Sequence, residues 1–209
     1  MKESRREPPD DSRNQFLESR NVTTGSHSVK SFLERKRLLA SARRAVASRL
    51  LSGETPLHEV TAEDIADRRG AFVTLHIDGA LRGCVGVLSS SLPLVDTVIA
   101  MSLGASLEDS RFEPLTLEEL TCVTFEISLI SPAVDVASID QIVTGRDGVV
   151  VSSGGRRALL LPQVAVQIGG GVSDFLEAAC RKAGLSSGAW RLPGTRIQTF
   201  TAEVFAEEP

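Results

Sequence analysis

Two apolar runs separated by Asp78-Gly79 impose the strongest constraint on the fold of this chain. The run 71–77 (Ala-Phe-Val-Thr-Leu-His-Ile) ends at this dipeptide, and the run 80–88 (Ala-Leu-Arg-Gly-Cys-Val-Gly-Val-Leu) begins after it. An Asp-Gly pair between strand-like runs favours a tight β-hairpin, because both residues tolerate the positive φ angles of such turns. The chain is therefore expected to contain an antiparallel sheet.

The pairing register predicts which side chains share a face of this hairpin. We favour a three-residue loop over 77–79 with a left-handed bulge at Gly79, since a strict two-residue loop would mix polar and apolar side chains. The apolar face then comprises Val73, Leu75, Leu81, Gly83 and Val85. The opposite face comprises Phe72, Thr74, His76, Arg82 and Cys84.

Further helices and a second hairpin follow without a repeating strand-helix-strand order. Helices are predicted over 31–51, 93–107 and 173–183, strands over 122–130 and 197–205, and the second hairpin over 148–161. Ser31 with Glu34 is a capping box and Gly53 a stop signal for the first helix, and Thr116 with Glu119 predicts a capped turn. This mixture predicts an α+β protein with largely antiparallel sheets.

Composition is typical of a soluble intracellular protein. Of its 209 residues, 42% are hydrophobic and 24% charged, and three cysteines are too few for a disulfide-stabilised scaffold. No apolar stretch reaches the roughly 18 residues of a membrane span. Residues 1–11 lack the apolar core of a secretory signal. We therefore expect a cytoplasmic protein with no membrane partner.

Charge is distributed unevenly along the chain. Residues 30–50 carry seven Lys or Arg residues against one acidic residue, whereas residues 51–209 carry 11 against 21. An acidic body is a poor surface for nucleic acid, so no nucleic-acid partner is expected. The basic face of the first helix fits anionic lipid or RNA, but a solvated face on a helix docked to the acidic body is favoured.

The first 27 residues differ from the rest of the chain. They are polar, rich in Arg, Ser and Asp, and lack apolar periodicity. Such a segment cannot bury enough surface to offset its conformational entropy, so we predict a disordered tail over residues 1–27. A short docking peptide around Phe16-Leu17 is the alternative.

The strand after the Asp-Gly turn carries the most informative side chains. Arg82, Cys84 and Gly86 share one face, and the cation and thiol are about 7 Å apart along the strand. A guanidinium beside a thiol favours the thiolate, so Cys84 is a candidate nucleophile with Arg82 as its activator, and Gly86 leaves room for an approaching group. His76 is too far away to be a direct partner. A buried, inert Cys84 with Arg82 paired to a carboxylate fits the residues slightly better.

Three further charged residues are candidates for ligand binding. Asp109 and Arg111 lie in a loop, where they either bind a ligand or lock the loop to itself. Glu126 lies in an apolar strand and is expected to pair with Arg82 or Arg111. Removal of the Glu126 charge should therefore destabilise the fold, whereas removal of the Asp109 charge should impair binding. The three Cys and three His residues lack ligand spacing, and no phosphate loop is present, so neither a metal nor a cofactor is predicted.

Several ordered motifs over residues 33–207 resemble the AMME chromosomal region (AMMECR) domain family. Leu81-Arg82-Gly83-Cys84-Val85-Gly86 is similar to the family signature Leu-Arg-Gly-Cys-Ile-Gly-Thr, and residues 109–115 are similar to its Asp-x-Arg-Phe-x-Pro-Leu block. Glu126-Ile127-Ser128 resembles a further block. The departures from the family pattern are Val87, Gln167 and Gly170, which replace Thr, Glu and Trp.

This resemblance implies two unequal, intertwined α+β subdomains over residues 28–209, with the Arg-Gly-Cys segment near the cleft between them. It implies no established activity, but an association with Memo-like proteins and radical SAM enzymes in the AmmeMemoRadiSam system. One hypothesis is an accessory module that binds a small molecule or a partner. Its candidate binding residues are Gly83, Gly86, Asp109, Arg111 and Glu126. The alternative is an enzyme that uses Cys84, activated by Arg82, on a small molecule or protein side chain.

Overall fold

A computed structural model describes residues 29–208 of the chain. The α-helices in this range are α1 (Phe32–Ser52), α2 (Ala62–Ala66), α3 (Leu94–Leu107), α4 (Pro162–Ile168) and α5 (Val172–Lys182). The strands are β1 (Arg69–Ile77), β2 (Ala80–Ser89), β3 (Thr124–Ile130), β4 (Val134–Asp135), β5 (Asp147–Ser153), β6 (Arg156–Leu160) and β7 (Arg196–Ala206). The tail predicted over residues 1–27, with its alternative docking peptide, lies outside the described residues.

One antiparallel sheet organises the described chain. Its strand order is β2-β1-β3-β7-β5-β6, and β4 pairs with β7. The long strand β7 joins the two ends of the sheet, because its residues 202–206 pair with β3 and its residues 196–201 pair with β5. The α+β class and the antiparallel pairing that the sequence predicted are confirmed.

Separate hydrophobic clusters lie along the two ends of this sheet. In the larger half, α1 and α3 pack on β1 and β3 around Leu38, Val73, Leu94 and Phe125. In the smaller half, α4 and α5 pack on β5 and β6 around Val149, Phe175 and Leu176. A small third cluster of Ile130, Val150 and Phe200 links the two halves. None of the described helices has the length and apolarity needed to cross a membrane.

The start and end of α1 follow the sequence signals. The Glu34 N–H donates to Ser31 Oγ at 3.3 Å and the Ser31 N–H donates to Glu34 Oε2 at 2.8 Å, which completes the predicted capping box. Gly53 ends the helix with a φ of 76°, a left-handed angle that glycine adopts at little cost.

Three basic side chains of α1 attach the helix to the acidic body. The pairs are Arg35–Glu203 at 3.1 Å, Arg37–Asp64 at 2.7 Å and Arg43–Glu207 at 2.5 Å. Arg43 also donates to the carbonyls of Leu120 and Val123. These three pairs dock the helix onto the acidic body, as the favoured interpretation required, whereas Lys36 and Arg44 remain exposed.

The loop of the β1–β2 hairpin differs from the predicted one. Ile77 lies opposite Ala80, so the loop has two residues and not three. Both loop residues have positive φ angles, 51° at Asp78 and 75° at Gly79. This is the pattern of a type I′ turn, whose twist matches that of the strands it joins.

A bulge one step further along corrects the register. His76 lies opposite Leu81, and the next pair skips Arg82, which is the extra residue of the bulge. Beyond this point Thr74 lies opposite Cys84, as the predicted faces required. The bulge therefore replaces the three-residue loop as the feature that sets the faces from Cys84 onward. The predicted place of Leu81 on the apolar face is wrong, because Leu81 lies opposite His76 and is 44% exposed.

Two helices of the structure were missed in the sequence. α2 has five residues and α4 has seven, which is too short for a helical period to stand out. The sequence does contain a start signal for each helix. Thr61 caps α2 with its side chain, and Pro162 occupies the first turn of α4.

Candidate functional site

Cys84 lies on the edge strand β2, with its side chain on the face of the sheet opposite α1 and α3. The neighbouring residue Gly83 faces α3, so strand alternation turns Cys84 the other way. The Thr74 hydroxyl donates to Cys84 Sγ at 3.4 Å. We call the surface formed by Thr74, His76, Cys84 and Glu126 the polar face. Cys84 is half-buried there.

The backbone of Cys84 is held from outside the sheet by the loop after α3. The Cys84 N–H donates to Asp109 Oδ2 at 2.9 Å, and Arg111 Nη2 donates to the Cys84 carbonyl at 3.3 Å. These two side chains satisfy the outer edge of β2 as a neighbouring strand would. They also form an ion pair of 2.6 Å with each other. The loop is thus locked to itself, as one alternative predicted, and to β2.

Arg82 is bound by a carboxylate that the sequence had identified only as a cap. Its Nε and Nη2 donate to the two oxygens of Glu119 at 2.8 and 2.9 Å. Glu119 also accepts from the Thr116 N–H at 2.9 Å, so the predicted cap is confirmed. Glu119 and Arg82 are 37 positions apart, a separation at which no local sequence signal links two charges.

An aromatic ring joins these two ion pairs. The Phe112 centroid lies 5.9 Å from the Arg82 guanidinium and 5.3 Å from that of Arg111, distances at which cations attract an aromatic ring. We call the resulting set the clamp. It consists of Arg82, Asp109, Arg111, Phe112 and Glu119. The clamp explains in physical terms why an Arg-Gly-Cys strand and an Asp-x-Arg-Phe loop occur together in one chain.

The ion pairs of the clamp are charged throughout the neutral pH range. Hydrogen bonds from Arg111 hold the pKa of Asp109 well below its usual range, and those from Arg82 lower the pKa of Glu119 to about 2. The same contacts raise the pKa of both guanidinium groups. The Arg111 side chain is 55% exposed. The clamp therefore balances two cations with two anions.

The two glycines of the motif accommodate protein groups. A Cβ on Gly83 would lie 2.2 Å from the carbonyl oxygen of Ala105, so α3 packs directly against β2 at this point. A Cβ on Gly86 would lie 2.2 Å from the ring of Phe72. The room that Gly86 leaves on the polar side of β2 is thus occupied by Phe72.

Glu126 lies in line with Cys84 across three strands. Thr74 of β1 is opposite Cys84 on one side and opposite Glu126 on the other. With adjacent strands about 4.8 Å apart, Glu126 and Cys84 are about 10 Å apart in the backbone. Glu126 is half-buried, and none of the described residues forms a hydrogen bond or ion pair with its side chain. The predicted pairing with Arg82 or Arg111 is wrong, because Glu119 and Asp109 bind those cations.

A metal site does not form from the residues described here. Between residues 29 and 208, no three His, Cys, Asp or Glu side chains converge on a common point. A shallow surface depression of about 420 Å³ lies in another part of the sheet, where Asp135 and Arg196 form an ion pair across β4 and β7. The side chains available on the polar face are therefore the Cys84 thiol, the Thr74 hydroxyl, the His76 imidazole and the unpaired Glu126 carboxylate.

A family model described as AMMECR1 matches residues 39–205, which include the clamp, Cys84 and Glu126. The chain belongs to the AMMECR1 family. Protein MJ0810 of Methanocaldococcus jannaschii is 36% identical over 172 residues, which cover 78% of this chain and 86% of that protein. A protein of Thermofilum pendens is 39% identical over 188 residues, covering 81% and 88%.

A solved structure also matches the fold of this AMMECR1-family chain. The crystal structure of the uncharacterised protein PH0010 from Pyrococcus horikoshii matches this chain with a TM-score of 0.76 and 35% identity, covering 82% of this chain and 90% of that one. The resemblance inferred from the motifs is confirmed. The departures Gln167 and Gly170 lie at and after the end of α4 in the smaller half, whereas Val87 lies in β2 opposite Ala71. All three leave the five clamp residues intact.

Proposed function

We propose that this AMMECR1-family protein is a binding module that holds a ligand or partner segment on the polar face. The observation that carries the proposal is the pairing of Arg82 with Glu119, because it removes the predicted activator of a Cys84 nucleophile. Among the described residues, Thr74 is the only one whose side chain hydrogen-bonds to Cys84 Sγ. A threonine hydroxyl is no general base at neutral pH, so the thiol lacks the partner that nucleophilic catalysis requires.

The clamp suits a binding surface because it fixes the backbone of an edge strand. β1 holds Cys84 from one side, and Asp109 with Arg111 holds it from the other. Recognition surfaces on strands are precise when the groups behind them are already bonded in place. We therefore assign Asp109, Arg111 and Glu119 positioning roles, and assign contact with the ligand to the polar face.

The proposed setting is an accessory role in a modification pathway of the AmmeMemoRadiSam type, in the cytoplasm. Its support is the family membership, from which a Memo-like protein and a radical SAM enzyme follow as candidate partners. Direct contact with either partner would be measured with the purified proteins of the source organism. That measurement tests the identity of the partners, whereas the variants described below test which surface of the protein binds.

Thiol reactivity decides between a binding module and a cysteine enzyme. Cys122 is exposed and serves as an internal reference for labelling of the native protein by iodoacetamide. We expect Cys84 to react no faster than Cys122 between pH 6 and 8, and Arg82→Ala to leave that ratio unchanged. Fast labelling of Cys84 well below pH 8, with a curve that Arg82→Ala moves upward, would establish the activated nucleophile and overturn the proposal.

A steric variant tests the polar face itself. Cys84→Phe places a ring on this face, whereas Val143→Phe enlarges an exposed side chain of the smaller half. Binding of the purified Memo-like protein is measured by calorimetry for both variants and for Cys84→Ser. We expect only Cys84→Phe to lose binding. Equal binding by all three would show that the partner does not use this face.

A further inference from the structure

We infer that the polar face receives a lysine or arginine side chain of a partner protein, and that Glu126 binds its cationic head. The inference rests on the proposed binding function and adds the chemistry of the group that is bound. It assigns to Glu126 the binding of the cationic head, a role that the clamp carboxylates cannot take because Arg82 and Arg111 already bind them.

The first observation is that Glu126 is an exception among the acidic side chains. Ten other Asp or Glu residues of the described chain are buried or half-buried, and each lies within 4.0 Å of a Lys, Arg or His nitrogen. Glu126 has no such partner. Partial burial of an unpaired carboxylate opposes folding, and proteins retain such groups where function requires them.

The second observation is the surface next to this carboxylate. Ala206 lies directly opposite Glu126 on β7, and Val204, two residues before it on the same face, is 45% exposed. Long cationic side chains lay their aliphatic stems on apolar surface and keep their charged heads at a polar group. Val204 and Ala206 supply the apolar surface, and Glu126 supplies the anion.

The third observation concerns the shape and charge of the face. Glu126 lies on a sheet surface, where a side chain can approach from a partner, and small molecules prefer enclosed pockets. Three arginines of this half of the protein already bind other carboxylates. Arg82 and Arg111 belong to the clamp, and Arg43 pairs with Glu207. His76 lies two pairs along the ladder, opposite Thr124, and forms no hydrogen bond with Glu126. Glu126 is therefore the one carboxylate among the four residues of the polar face, and none of these three arginines binds it.

The test uses capped amino acids as probes of the full-length protein. Acetyl-arginine methylamide and acetyl-lysine methylamide are titrated while backbone amide signals are followed by NMR, with the neutral acetyl-citrulline and acetyl-norleucine methylamides as controls. We expect saturable shifts at Glu126, Ala206 and Thr74 for the cationic probes alone. Glu126→Gln should weaken this binding at least fivefold, and Glu59→Gln, an exposed carboxylate elsewhere, should leave it unchanged.

Three outcomes would overturn the inference. The first is binding that Glu126→Gln leaves unchanged. The second is equal binding of methylguanidinium alone, which would indicate a small free cation and not a partner side chain. The third is a melting temperature lowered by Glu126→Gln, which would reveal a structural role for the charge. If the inference fails while Cys84→Phe still abolishes partner binding, the proposed function stands. If Cys84→Phe has no effect, the proposed function fails with it.

Discussion

Substitution of Asp109 by Asn isolates the hydrogen bonds of the clamp, because the two side chains have nearly the same size. Oδ1 of Asp109 accepts from the Arg111 N–H and Nε at 3.2 and 2.9 Å. Oδ2 accepts from the Cys84 N–H at 2.9 Å and from Arg111 Nη2 at 2.6 Å. An asparagine has one oxygen, so in either orientation its NH₂ group faces two donors and at least two hydrogen bonds are lost.

The size of the effect follows from the burial of the two partners. The Asp109 side chain is 7% exposed, so the bond from the Cys84 N–H to its charged oxygen is worth about 1.5–3 kcal/mol. Arg111 is more than half exposed, and its ion pair adds only about 0.5 kcal/mol. We expect the free energy of unfolding to fall by about 2–3 kcal/mol, which lowers the melting temperature of a domain of this size by roughly 5–10 °C. This expectation differs from the one based on the sequence, which was that Asp109→Asn would impair ligand or partner binding and leave folding nearly unchanged.

Thermal unfolding followed by circular dichroism at pH 7 measures this difference. Asp78→Asn is the matched control, since Asp78 is exposed in a turn that accepts asparagine. It should change the melting temperature by less than about 2 °C. Hydrogen exchange at the Cys84 amide should accelerate in Asp109→Asn alone. If Asp109→Asn melts within 2 °C of the control, the clamp does not stabilise the edge of β2 and our account of it is wrong.

Three further predictions concern pH, packing and the N-terminal segment. Glu119 has its pKa lowered from 4.5 to about 2 by Arg82, so its contribution to stability is complete above pH 4.5 and is lost as the pH falls towards 2. Glu119→Gln should flatten this part of the stability curve measured by urea unfolding. Gly83→Ala should lower the free energy of unfolding by more than about 3 kcal/mol, because its Cβ would clash with the α3 backbone, whereas Gly188→Ala should be nearly neutral. Deletion of residues 1–27 should change the melting temperature by no more than about 2 °C, which calorimetry would check.

Local features of the fold could be predicted from the sequence because their signals lie within a few residues. The capping box of Ser31 and Glu34 and the turn at Asp78-Gly79 each depend on side chains that meet their own backbone. The ordered motifs were sufficient to identify the family. The faces of the hairpin were also predictable except at Leu81, since a wrong register would bury polar side chains.

Only the tertiary structure decided which charges meet. Arg82 was predicted beside the Cys84 thiol and Glu126, but the loop after α3 brings Glu119 to it instead. Several carboxylates lie within reach of one guanidinium in a folded chain, and the docking of distant segments selects among them. The sequence alone therefore predicted the strand that carries Cys84. The clamp, the bulge at Arg82 and the unpaired state of Glu126 depend on the packing of α3 and its following loop against that strand.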